Sequence, residues 1–242
     1  MEEEMLTGGN STIVVRVGHT VRRTVGPWTL AVHQLLVRLR AEGITEVPEP
    51  RGVDQDGREV LSYSVGVVPG YPLPEWVWAE TILLAAGRLL RRIHDASTAL
   101  VGEDLVWQLP THHPAEVICH NDFAPYNLVF RNGQLCAVID FDTASPGPRI
   151  WDLAYLAYRL VPLTDSAEDG GPPAPDRAGR LQLLIYSYEM PYEPAELLAV
   201  VAARLDELAV FTDARAAETG RDDFAEHAAM YRRDRDRVLA SS

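Results

Sequence analysis

The segment CHNDFAPYNLVFRNGQLCAVIDFD, Cys119 to Asp142, crowds Asp122, Asn127, Asp140 and Asp142 into one short stretch beside His120. Carboxylates and side-chain amides are hard oxygen donors. Mg2+ prefers such ligands and keeps waters or phosphate oxygens for its remaining positions. A further carboxylate nearby can take the proton of a hydroxyl group. Asn132-Gly133 is a strong hairpin signal. A two-residue turn there would pair Arg131 with Gln134, Phe130 with Leu135 and Asn127 with Val138. Asp140 would then lie on the same face as Asn127 and diagonal to it, roughly 7–8 Å away and within reach of one shared ion. Asp122 falls in the loop before the hairpin. Asp and Asn also serve as plain turn residues. Asp140, however, follows the apolar run LCAVI, and a carboxylate at the mouth of a buried strand needs a partner or a metal.

His120-Asn121-Asp122 followed by Asn127 fits H-x-D-x-x-x-x-N, and Asp140-Phe141-Asp142 fits a metal-binding loop downstream of it. In these residues, and in the wording HNDFAPYN…VIDFDTASPGPRIWDLA, the chain resembles the aminoglycoside phosphotransferase (APH) and choline-kinase-like family, which has a protein-kinase-like fold. The likeness covers most of residues 5–165, is most specific over 117–156, and after 177 rests on position. It implies ATP (or GTP) and Mg2+ as cofactors, and transfer of the γ-phosphate to a hydroxyl of a small molecule. By the family pattern Asp122 is the catalytic base, Asn127 and Asp140 hold Mg2+, and Asp152 braces the catalytic loop. His120 is expected to pack and hydrogen-bond, and Asp142 either to assist the metal shell or to accept a hydrogen bond.

Gly8, Gly9, Asn10 and Ser11, within LTGGNST, stand where the family has its phosphate-covering loop. Glycines there let backbone N–H groups approach an anion closely. The family's phosphate-binding cation lies on the strand that follows. Arg22 and Arg23 are the candidates, and register favours Arg23, whose fork can grip phosphates bidentately. The family pairs this cation with a glutamate early in the next helix. His33 stands near that place here, and Glu42 comes a helix end too late. An arginine and a histidine do not make that ion pair. The departure motivates an alternative, a nucleotide-binding pseudokinase acting as a sensor or binding module. A metal-dependent hydrolase would need a second metal bridge or a distinct nucleophile, and the sequence offers neither.

The elements that must position these residues read as α+β, strands first and helices later. Residues 12–17 and 20–24 form one expected hairpin, and 50–54 with 58–65 another around Asp56-Gly57. Between them, Val32, Leu35, Leu36 and Leu39 make a helical stripe ended by Gly43. Gly- and Pro-rich residues 65–74 read as a linker, and 74–96 as one long amphipathic helix. Further helices are expected over 149–163, 177–189, 194–217 and 222–239, with a loop over 166–176. With the resemblance, this gives a bilobal protein-kinase-like fold: a small β-rich nucleotide-binding lobe over 1–66 and a larger helical lobe over 67–242 for catalysis and acceptor binding.

Composition sets the outer limits. The 242 residues suffice for two lobes with a sizeable core. There is no apolar run long enough to span a membrane, and MEEEMLTGGN lacks the apolar region of a signal peptide, so a cytoplasmic protein is expected. Cys119 and Cys136 sit in apolar runs and read as buried reduced thiols. The net charge of −13 argues against a nucleic-acid partner. All 22 basic residues are arginines, so any step that ordinarily uses a lysine must use something else. Residues 193–227 hold nine acids against Arg204, Arg215 and Arg221. Such a wall could attract an aminoglycoside or another cationic acceptor, or it is a solvated helix face. Trp76, Trp78, Tyr155 and Tyr158 could line a pocket, although aromatics at helical spacing more often form core.

Overall fold

A computed structural model describes residues 3–6, 14–163 and 176–240. Gly8, Gly9, Asn10 and Ser11, and all of the expected 166–176 loop except Asp176, lie outside the described residues. The described residues fall into two compact units, one of residues 1–69 with 91–148, the other of 70–90 with 149–242.

The first unit is built on a five-stranded antiparallel sheet, in the order β1 (Glu3–Leu6), β2 (Val14–Val17), β3 (Thr20–Thr24), β5 (Arg58–Ser62), β4 (Pro50–Val53). β1 was not expected, because its acidic residues give no strand signal. It gains its place as an edge strand, where Arg16 and Arg58 pair with Glu4 and Glu3. α1 (Thr29–Ala41) buries Val32, Leu35, Leu36 and Leu39, the stripe read from the sequence. It stops at Gly43, which takes a φ of +80° that a side chain would strain. Two small antiparallel ribbons complete this unit: β6 (Val117–Cys119) with β9 (Ser145–Gly147), and β7 (Leu128–Arg131) with β8 (Gln134–Val138).

The β7–β8 hairpin turns at Asn132-Gly133 with Arg131 opposite Gln134 and Phe130 opposite Leu135, as expected. The pairing then slips: Val129 faces Ala137 and Leu128 faces Val138. Cys136 is the extra residue of this bulge, with its Sγ 3.3 Å from the Val129 carbonyl oxygen. Asn127 therefore lies opposite Ile139, whose N–H it accepts at 2.9 Å, and not opposite Val138. Ala137 and Val138, which follow the bulge, are both buried. Val67 in the linker exchanges both backbone hydrogen bonds with Phe130, at 2.8 Å each.

The second unit is helical. The long helix expected over 74–96 is two pieces, a 3-10 turn at Glu75–Trp78 and α2 (Glu80–Ser97), which crosses into the first unit at Arg91. Ala79 between them is extended. Arg180, on α4 (Arg177–Tyr188), donates to the carbonyls of Trp78 at 2.7 Å and Leu160 at 3.0 Å, so two helical ends share one buried guanidinium. α3 (Arg149–Leu160), α5 (Pro194–Thr219) and α6 (Asp222–Ala240) pack together. Tyr155 and Tyr158 belong to this packing: Arg204 and Arg159 stack on Tyr155, and Tyr158 donates to the buried Asp234 at 2.8 Å. Trp78 is buried and Trp76 partly exposed. No helix among the described residues is long and apolar enough to cross a membrane.

Candidate active site

Two non-glycine residues with positive φ shape the site. Asn121 follows β6 and Asp140 follows β8, each at φ +64°. Asn and Asp tolerate this left-handed conformation better than other side chains. Each turns the chain sharply after a buried strand and so ends an apolar run on polar groups. The two turns are tied together. Asn121 Nδ2 donates to the Thr143 carbonyl at 3.0 Å and Ser145 Oγ at 2.9 Å, and Thr143 Oγ1 donates to the His120 carbonyl at 2.9 Å.

His120 is buried in the middle. Its Nδ1 accepts the Asp122 N–H at 3.2 Å and its Nε2 lies 3.1 Å from the Ile139 carbonyl oxygen, which requires the Nε2–H tautomer. The ring packs at 4.5 Å from Phe141 and edge-on to Phe123 at 5.7 Å. Both nitrogens are thus engaged by backbone, which suits a structural group linking the Asp122 loop to the Asp140 loop.

Asp122 is half-buried and held at both oxygens. Tyr126 Oη donates to Oδ1 at 2.5 Å, and Asn127 Nδ2 donates to Oδ2 at 2.8 Å and to the Asp122 carbonyl at 2.9 Å. Asn127 ends a short 3-10 turn, Pro125–Asn127. With its NH2 committed to Asp122, its amide oxygen is the end available to a cation.

Arg23 reaches the same region from β3. Its Nε donates to Glu59 Oε2, its Nη1 to Asp140 Oδ1 at 3.2 Å and its Nη2 to Asp142 Oδ1 at 2.5 Å. Arg22, on the opposite face of the strand, pairs instead with Asp54 at 3.2 Å. Glu42 makes an exposed pair with Arg38 at the end of α1. The partner of Arg23 is Glu59, directly across the sheet in the β3–β5 register. His33 Nε2 meets the other oxygen of Glu59 at 2.8 Å. Glu59 and Tyr126 escaped the sequence reading. An acid inside the strand REVLS was a usable signal for Glu59, but its partner lies in a strand that is not its neighbour in the chain.

Burial works against the Arg23 charge, yet Asp142, Glu59 and Asp140 outweigh it and hold its pKa above the ordinary arginine value. Burial pushes the Asp142 carboxyl up to about 6, with Asp140 and Glu59 adding to it, despite the Arg23 guanidinium and a hydrogen bond from Trp28. Three carboxylates, Glu59, Asp140 and Asp142, face one guanidinium, which leaves two negative charges in excess when all are ionised. The Asp140 side chain is 51% exposed. Hard oxygens, excess negative charge and an accessible carboxylate suit a divalent cation such as Mg2+. Asp152 is fully buried on α3. Cys119 is buried and Cys136 half-buried, both as free thiols.

A profile of the phosphotransferase enzyme family matches residues 103–179. The trifolitoxin immunity protein of Rhizobium leguminosarum bv. trifolii is 35% identical over 173 residues, a match spanning 68% of this chain and 64% of the relative's length. A choline/ethanolamine kinase family protein from Mesorhizobium loti superposes with a TM-score of 0.67 at 17% identity, over 99% of this chain and 88% of its own. The amicoumacin kinase hAmiN, solved with AMP-PNP, Ca2+ and its ligand Ami, gives 0.69 at 14% identity, again over 99% and 88%. Residues 103–179 are thus similar to the phosphotransferase enzyme family, and the chain has the α+β, protein-kinase-like fold of the aminoglycoside phosphotransferases and choline/ethanolamine kinases.

Proposed function

We propose that this chain is a small-molecule kinase that moves the γ-phosphate of ATP, or GTP, to a hydroxyl group with the help of Mg2+. The observation that carries this reading is that two hydrogen-bonded pairs, Asp122 with Asn127 and Asp140 with Arg23, are linked through His120, which bonds to the Asp122 N–H and to the carbonyl of Ile139 next to Asp140. Asn127 and Asp140 would hold the cation, and Mg2+ bound there would supply positive charge to offset that of the phosphates. Arg23 grips phosphate oxygens, and Gly8, Gly9, Asn10 and Ser11 cover them. Residues 1–66 form the nucleotide-binding lobe and 67–242 the catalytic and acceptor-binding lobe.

Asp122 serves as the base. Its carboxylate takes the proton of the acceptor hydroxyl as that oxygen bonds to the γ-phosphorus and the bond to the departing nucleoside diphosphate breaks. Tyr126 and Asn127 fix the carboxylate, so that no rotation is needed to meet the hydroxyl.

The acceptor is a hydroxyl-bearing toxin or antibiotic. The likeness to an immunity protein supports a protective role. The acidic stretch 193–227 lends little support to a cationic acceptor, because Asp206, Asp213, Glu218 and Asp223 are paired with Arg235, Arg232, Arg215 and Arg221.

The test is a transfer screen with labelled ATP against aminoglycosides, other antibiotics and toxins, choline and amino-acid alcohols. At least one acceptor should be labelled. Asp122→Asn should lower that turnover by roughly 10²–10⁴ while nucleotide affinity stays near wild type. Unchanged turnover would remove Asp122 from the role of base.

A further inference from the structure

Glu59 is 1% exposed, deep in the sheet. A carboxylate cannot stay charged there without partners on its oxygens. Each oxygen has one: Oε2 accepts from Arg23 Nε and Oε1 meets His33 Nε2 at 2.8 Å. The three residues come from β3, β5 and α1, so the carboxylate is held from two sides and cannot rotate. A guanidinium is planar and rigid. Once its Nε is fixed by Glu59, the direction of its two Nη groups is fixed as well. Those groups point at Asp140 and Asp142. Glu59 hydrogen-bonds to Arg23 and His33, so it orients that loop through Arg23, although its charge also acts directly on Asp142.

We infer that Glu59 and His33 are positioning residues for Arg23: Glu59, locked by His33, aims the Nη edge of the guanidinium at the Asp140–Asp142 loop and thereby sets the grip on the phosphates of a bound nucleotide. The inference rests on the phosphotransferase reading above. It assigns to β5 and to a histidine the orienting task for which the sequence offered no glutamate on α1. A lysine would not serve in place of Arg23, because one ammonium cannot hold Glu59 with one edge and face two carboxylates with the other.

The test is calorimetric titration of the full chain with Mg-ATP and, separately, with adenosine, which has no phosphates. Glu59→Gln should weaken Mg-ATP binding by roughly 10–100-fold and leave adenosine binding unchanged. His33→Ala should shift Mg-ATP binding in the same direction by less. In an Arg23→Met background neither change should weaken Mg-ATP binding further, because both act through the arginine. Equal losses for ATP and adenosine, or effects that persist in full without Arg23, would show a merely structural role and overturn the assignment. Wild-type affinity in both single variants would overturn it too. Should Glu59→Gln fail to fold, His33→Ala, at the edge of the network, carries the same comparison. A wild-type chain that binds neither Mg-ATP nor Mg-GTP would overturn the proposed function together with this assignment, whereas binding with unaffected variants overturns the assignment alone.

Discussion

Asp142 is a carboxyl group that its surroundings push toward neutrality, and this has a consequence for stability. Its folded value of about 6 lies above the ordinary 3.8, chiefly through burial. The folded chain therefore binds this proton more tightly than the unfolded chain does. The stability this contributes is whole below pH 4 and is lost as pH rises through about 6. A shift of this size corresponds to at most about 3 kcal/mol. Urea unfolding without added metal should show stability falling between pH 4.5 and 7, and Asp142→Asn should flatten that part of the profile. Identical profiles in the two chains would show that Asp142 ionises normally. Asp122 obeys a different logic, since both its oxygens accept hydrogen bonds, from Tyr126 and Asn127, that hold the carboxylate in place.

At the scale of elements, the site depends on how the linker meets the β7–β8 hairpin. Gly66 passes so close to β7 that an added Cβ would fall 2.5 Å from the Phe130 carbonyl oxygen and 2.6 Å from Val129 Cγ1. Backbone cannot yield cheaply, so the Val67–Phe130 bridge would have to open or shift. Gly66→Ala should cost about 1–3 kcal/mol by denaturant unfolding, as overpacking does. Gly70→Ala, where an added Cβ meets nothing within 4 Å, is the control and should cost little. Equal effects at the two positions would mean that general glycine flexibility, and not close approach, is what matters. The bulge at Cys136 belongs to the same scale, since without it the hairpin would set Val138 rather than Ile139 against Asn127.

For the molecule as a whole, a net charge of −13 does not amount to a uniformly acidic face. Asp206 and Asp213 on α5 are matched by Arg235 and Arg232 on α6, which ties two neighbouring helices by exposed ion pairs. Such pairs add little stability and are screened by salt. Asp206→Asn with Asp213→Asn should cause a small loss of thermal stability that shrinks at high salt. The KM for whichever acceptor the transfer screen identifies should stay unchanged. A marked rise in that KM, weakening with salt, would restore the acidic wall as a recruiting surface.

The sequence alone determined what depends on near neighbours. The spacing of His120, Asp122 and Asn127, the turn at Asn132-Gly133, the buried stripe of α1 and the bounds of α4, α5 and α6 could all be read from local pattern, because periodicity, capping and turn chemistry act over a few residues. Tertiary structure decided what depends on distant partners. Arg23 and Glu59 are 36 positions apart on strands that are not consecutive in the chain, and they meet because two opposite charges buried in one sheet must face each other. The register slip at Cys136, which sets Ile139 and not Val138 against Asn127, leaves no signal in the local sequence. The break at Ala79 is tolerated because Arg180, about a hundred residues later, takes up the Trp78 carbonyl. The acids of α5 find their arginines only once α6 is packed against them. Local chemistry thus named the candidate site groups, while burial and charge pairing across the fold chose the residues that hold them.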